Sequence, residues 1–135
     1  MRLVLDTNVF ISGVFFAGPP FDILKSWRVG QVEIVVSAEI LDEYRRVGVE
    51  LSEKYATVDL FPFLELLISH AIVVHAPPLN ERVCSDPDEF MACALAGRSK
   101  FICSGDKALQ KISGYKGISV VPPRVFVDRY LPHKK

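Results

Sequence analysis

Five short apolar runs recur along the chain, each closed by polar or turn-forming residues: Leu3–Leu5, Val32–Val36, Ile72–Val74, Phe101–Cys103 and Gly117–Val121. Runs this short and this apolar read as strands buried on both faces, as in a parallel sheet. The intervening segments carry helical signals instead. They predict helices from Thr7 to about Phe15, from Phe21 to Val29, and from Ala38 to about Val47. Further helices are expected from a cap at Asp59 through Ser69, after Ser85-Asp86-Pro87-Asp88-Glu89, from Lys107 to Ile112, and after Pro122-Pro123. Gly18-Pro19-Pro20, Gly30 and Gly48 read as the breaks, with a turn and a short helix between Gly48 and Tyr55. Strands separated by helices need crossover connections, which predicts an α/β fold on a mostly parallel five-stranded sheet.

The helical faces can be read residue by residue. With Ser37 as N-cap, Ile40, Tyr44 and Val47 share one stripe, Leu41 flanks it, and Asp42 and Arg46 face solvent. Glu43 lies within roughly 60° of Ile40, so it is the acid of this helix aimed at the edge of the apolar face. Phe21, Leu24 and Ile23 are expected inward on the second helix, and Val125, Phe126 and Tyr130 on the last. In Ser85–Glu89, Asp86 fits the N-cap, Pro87 the first helical position and Glu89 the capping-box partner. Asp88 is left with no structural task beyond a favourable place near the helix dipole. The helix that follows, FMACALAG, is apolar and small all round, hence central.

Length and composition set bounds on function. At 135 residues the chain reads as one domain, residues 1–135, and half its residues are hydrophobic, which excludes disorder. Sixteen basic side chains balance sixteen acidic ones, so the chain does not hold nucleic acid by bulk charge. An enzyme touching a short stretch of backbone remains compatible. Three cysteines with no CxxC pair exclude zinc-ligand spacing and a disulfide framework. Cys93 and Cys103 are expected as small buried hydrophobes, and His70, His75 and His133 as ordinary loop or helix-end residues. No signal-peptide pattern opens the chain, and no uncharged apolar run approaches the roughly 18 residues of a membrane span, so a cytoplasmic location is expected.

The chemistry concentrates in acids. Leu3-Val4-Leu5 runs into Asp6, and Phe101-Ile102-Cys103 into Ser104-Gly105-Asp106, while Glu43 and Asp88 sit on helices expected to begin at the same sheet edge. Each has an ordinary alternative: Asp6 or Thr7 and Asp106 as caps, Asp88 as dipole partner, Glu43 as surface. In a parallel sheet all four converge at the C-terminal edge, where open α/β folds place their ligands. Like charges about 4 Å apart repel by about 4 kcal/mol per pair at an effective dielectric of 20, so such a group needs protons or a cation. Oxygen donors without Cys or His suit Mg2+ or Mn2+, which position a water and stabilise the leaving oxygen in phosphodiester cleavage. Asn8 and Ser104 are short hydrogen-bonders suited to orienting the carboxylates, and Asp86 is an alternative to Asp88.

The stretches LDTNVFISG, SAEILDEYRRV, SDPDEFMACALAG and FICSGDKAL, in that order, resemble the PIN-domain family of metal-dependent nucleases and its prokaryotic branch that includes VapC-type toxins. The resemblance implies a Rossmann-like three-layer α/β/α sandwich and a ribonuclease acting on single-stranded RNA. It also implies that Asp6, Glu43, Asp88 and Asp106 hold the metal, that the chain forms a homodimer, and that an antitoxin protein is a partner by analogy. Rival readings are weaker. A receiver-like Mg2+-binding signalling domain wants an acid beside Asp6 and an aspartate where His75 follows Ile72-Val73-Val74, and a haloacid-dehalogenase-like phosphatase wants one where Asn8 stands. A non-catalytic nucleic-acid-binding or interaction module is the remaining alternative. In either nucleic-acid reading Arg45, Arg46, Lys107 and Lys111 are phosphate contacts or solvated charges.

Overall fold

Strand β1 (Arg2–Leu5) lies in the middle of a sheet that continues through β2 (Glu33–Ser37) and β3 (Ile72–Val74) on one side. On the other side it continues through β4 (Phe101–Cys103) and β5 (Ser119–Val121). The computed structural model describes residues 1–55, 58–77 and 89–131. Every pairing in the order β3-β2-β1-β4-β5 is parallel, with Leu3 opposite both Ile34 and Phe101, and Leu5 opposite Cys103. Leu3, Val4, Leu5, Ile34, Val35 and Val36 are wholly buried, as the unbroken apolar runs require of a sheet covered on both faces. The chain leaves β1 towards β2 yet returns on the other side as β4, so the order reverses between β1 and β4. That reversal opens a crevice at the carboxyl ends of these two strands.

Helices α1 (Thr7–Phe15), α2 (Pro19–Arg28), α3 (Ala38–Ser52), α4 (Phe61–His70), α5 (Glu89–Ala96), α6 (Lys107–Lys111) and α7 (Pro123–Tyr130) complete an α/β/α sandwich. Helix α5 packs across β1, β2 and β4, while α1 packs on α2 and α3, and α2 on α7. Phe90, Met91, Ala92, Cys93 and Ala94 of α5 are all buried, in keeping with its central place. Cys93 and Cys103 are buried free thiols, and burial pushes Cys93 up to about 12. No single helix among the described residues is long and apolar enough to cross a membrane.

The structure departs from the pattern-based expectations where tertiary contact decides. Helix α2 starts at Pro19 rather than Phe21, because prolines fit the first helical positions. It buries Ile23, Leu24 and Trp27, while Phe21 faces out beneath the Lys25 ammonium, 5.6 Å from its ring centre. Helix α3 runs straight through Gly48 to Ser52. A Cβ on Gly48 would stand 2.4 Å from Leu60 Cδ2, so this glycine serves close packing and not helix termination. Strand β5 begins at Ser119, after a 3₁₀ turn at Tyr115–Gly117. On α7, Phe126 and Tyr130 group with Phe101, and Val127 packs on the core in place of Val125. Asp59 accepts from the Phe61 N–H at the start of α4, at 3.1 Å. The expectations for Asp86, Pro87, Asp88 and His133 lie outside the described residues.

Candidate functional site

At the end of β1 the Asp6 N–H continues the ladder to the Cys103 carbonyl (3.0 Å), which places Asp6 directly beside the start of the Ser104–Asp106 turn. Asp6 is the N-cap residue of α1 by backbone position, though its side chain makes no capping hydrogen bond. Its Oδ2 accepts from Ser104 Oγ at 2.6 Å. The same Ser104 Oγ accepts from the Asp106 N–H at 3.0 Å, and Gln110 Nε2 donates to the Ser104 carbonyl at 2.9 Å. Ser104 is wholly buried, so one hydroxyl ties the acids of two adjacent strands together. Asp106 Oδ1 accepts from the Ala108 N–H at 2.9 Å, so Asp106 caps α6 and lines the crevice at once.

Glu43 arrives from α3. Ser37 starts this helix, its Oγ accepting from the Ile40 N–H at 3.3 Å. One turn on, Tyr44 is buried against Phe10 with ring centres 4.3 Å apart, and its hydroxyl bonds to the Leu5 carbonyl. With Tyr44 fixed inward, Glu43 is carried to the crevice edge. Thr7 Oγ1 donates to Glu43 Oε2 at 2.5 Å, and Arg46 Nη2 lies 3.8 Å from Glu43 Oε1. Glu89, the first residue of α5, stands near enough for the Glu43 charge to act on it.

These elements enclose a cleft of about 250 Å³. Asp6, Thr7, Asn8, Glu43 and Asp106 supply its polar lining, and Val47, Phe90 and Leu109 its apolar walls. Asn8 is exposed at the rim, and it is the backbone of Asn8 that interacts with the Asp6 carboxyl. A larger cavity, about 570 Å³, lies near the N-terminal end of β2 between Trp27, Arg28, Glu33, Leu66 and His70. It gathers one carboxylate, against three in the smaller cleft. Chemistry outweighs size in choosing between them.

Burial raises the Asp6 carboxyl above its usual range, and the Asp106 and Glu43 charges add to this against the Ser104 hydrogen bond. Glu89 is raised from 4.5 to about 8 by burial, then by the hydrogen bond to Glu43 and the charges of Glu43 and Glu39. Each of these two acids is held in a place where a negative charge is costly. A cation would reverse that cost. Among the described residues no three His, Cys, Asp or Glu side chains close tightly enough to grip an ion unaided. Mg2+ and Mn2+ do not demand this, since they are held by one or two carboxylates with waters and substrate phosphates as the other ligands. The all-oxygen lining fits such an ion.

The structure thus brings Asp6, Glu43, Asp106 and Ser104 together. Asp88 and Asp86, expected with them, lie outside the described residues. Thr7 lines the site, and Glu89 stands beside Glu43, although the sequence pattern suggested only a cap and a capping-box partner. For Glu89 a signal existed: it follows Asp88 directly at the start of an otherwise apolar helix.

An oxygen-lined cleft at the reversal point of a parallel sheet, with no histidine or cysteine among its described lining residues, defines a class of α/β protein. The more particular assignment comes from the match of residues 2–108 to the PIN domain: the chain belongs to the PIN-domain family. PIN domains are generally nucleases and typically use divalent metal ions. No curated protein matches the chain.

Proposed function

We propose that this chain is a Mg2+- or Mn2+-dependent endoribonuclease that cleaves phosphodiester bonds in single-stranded RNA, related to the VapC-type toxins. The observation that carries the reading is the convergence of Asp6, Glu43 and Asp106 on one cleft in a PIN domain. These three, with Asp88, are the residues that would hold the ion. When bound, it supplies an activated water and stabilises the leaving oxygen. The protein's own groups orient the carboxylates: Ser104 sets Asp6, and Thr7 and Arg46 hold Glu43. Val47, Phe90 and Leu109 keep water from the apolar side of the cleft. Lys107, exposed beside Asp106, and Arg45 and Arg46 on α3 are suited to steering a phosphate backbone locally, since net charge supplies no general attraction. A toxin role in the cytoplasm, a homodimeric state and an antitoxin partner belong to the same reading by resemblance.

The test is incubation of end-labelled total RNA with the protein and Mg2+ or Mn2+, with a chelator control and Asp106→Asn beside the parent. New discrete ends are expected only with metal and parent protein, in single-stranded regions. RNA left intact at saturating metal overturns the nuclease, and RNA retained without cleavage favours the non-catalytic binding module.

A further inference from the structure

Asp6 and Asp106 leave neighbouring strands, and the segment Ser104-Gly105-Asp106 between β4 and α6 sets their spacing. Ser104 Oγ meets both residues, 2.6 Å from Asp6 Oδ2 and 3.0 Å from the Asp106 backbone nitrogen. That double contact lasts only while the backbone from Ser104 to Asp106 keeps its course. Gly105 is the weak point. It is exposed, nothing beyond its chain neighbours lies within 4 Å of where a Cβ would stand, and its φ is outside the positive range. If the Ser104–Gly105 peptide plane turns over, Gly105 enters positive φ, which glycine adopts readily and other residues do not. Such a turn reverses the Ser104 carbonyl and takes the Asp106 N–H away from Ser104 Oγ. Gln110 grips that very carbonyl, Nε2 donating to it at 2.9 Å in a partly buried bond. Its own backbone N–H donates to the Asp106 carbonyl at 3.0 Å, so one residue of α6 holds both ends of the segment.

We propose that Gln110 is a positioning residue of the cation site: by holding the Ser104 carbonyl it keeps the Ser104–Gly105 peptide in the orientation that lets one hydroxyl tie Asp6 to Asp106. Resting on the metal-site reading above, this role needs no contact between Gln110 and the ion. The side chain acts through the backbone that carries Ser104 and Asp106.

Mn2+ binding to the full chain, followed by electron paramagnetic resonance of the free ion, tests this on the parent, Gln110→Met, Gly105→Ala and the double variant. Gln110→Met keeps the bulk of the side chain without the donor. Gly105→Ala fits the observed backbone but not the turned-over one, so it restrains the same peptide by other means. Gln110→Met is expected to weaken Mn2+ binding about tenfold. Gly105→Ala should bind close to the parent, and the double variant should recover most of the loss. Amide spectra of glycine-labelled protein in chelator read the peptide without metal. The Gly105 signal, assigned by its disappearance in Gly105→Ala, should move in Gln110→Met. Circular dichroism melts check that each variant is folded, and Gln110→Ser takes the place of Gln110→Met if that one does not fold. Undiminished Mn2+ binding by the Gln110 variant, or an unmoved Gly105 signal, overturns the inference. A loss that Gly105→Ala does not recover also overturns it, because general loosening of α6 is then the cause. A parent that binds no Mn2+ overturns the metal-site reading and the role of Gln110 with it, whereas a parent that binds beside an unaffected variant overturns this inference alone.

Discussion

The Tyr44 hydroxyl donates a hydrogen bond of 2.5 Å to the Leu5 carbonyl, pinning α3 to the last residue of β1. Glu43 precedes Tyr44 and Asp6 follows Leu5, so this bond sets the spacing of two carboxylates distant in the chain. Tyr44→Phe keeps the stack on Phe10 and removes the bond. A loss of about 1 kcal/mol in urea denaturation is expected, with weaker Mn2+ binding than the parent. Unchanged stability and binding would show that packing alone positions α3.

Asp6 is raised first by burial and then by the charges of Asp106 and Glu43. Asp6→Asn should therefore melt higher than the parent in chelator, while losing the metal's contribution. At 100 times its dissociation constant, an ion that binds only the folded parent adds about 2.7 kcal/mol. Melting with and without Mg2+ checks both effects, and an equal metal response in the variant would exclude Asp6 as a ligand.

Metal-free stability should depend on pH through Glu89, which is raised from 4.5 to about 8, chiefly by burial. The folded protein keeps this proton in a range where the unfolded chain has lost it. The stability it contributes is full below about 4.5 and is lost as pH rises through about 8. Urea midpoints in chelator should fall across that interval, and Glu89→Gln should flatten the slope. A parent and variant with parallel pH profiles would contradict the assignment.

Gly97 follows α5, and a Cβ there would stand 2.3 Å from Val35 Cγ1 in the wholly buried centre of β2. Valine is stiff at its first side-chain torsion and cannot turn aside cheaply. Gly97→Ala should cost about 1–3 kcal/mol, measured by chemical denaturation. A neutral result would mean that α5 can lift from the sheet without penalty.

Much of the fold was legible because local signals and tertiary context agree. Leu3-Val4-Leu5 and Phe101-Ile102-Cys103 are short apolar runs closed by polar residues, and both are buried strands. Ser37 could be read as a cap because its hydroxyl competes for a nearby backbone N–H, and it does so. The approach of Asp6 and Asp106 followed from their common position after strands of a parallel sheet. Other features are set by partners far along the chain. Gly48 looked like a helix end because nothing nearby in sequence shows Leu60 pressing on it. Phe21 looked like a core residue, but the bend between α1 and α2 turns Ile23, Leu24 and Trp27 inward instead.

The neighbouring strands β1 and β4, residues 2–5 and 101–103, lie far apart in the sequence, and Asp6 and Ser104 are 98 residues apart. Asp6 therefore gains its Ser104 partner only after residue 104 has been made and β4 has docked beside β1. A nascent chain still threaded in the ribosome up to that point has one wall of its cleft and no opposite wall. Whatever chemistry the cleft performs, it cannot begin before β4 has been made and has docked beside β1.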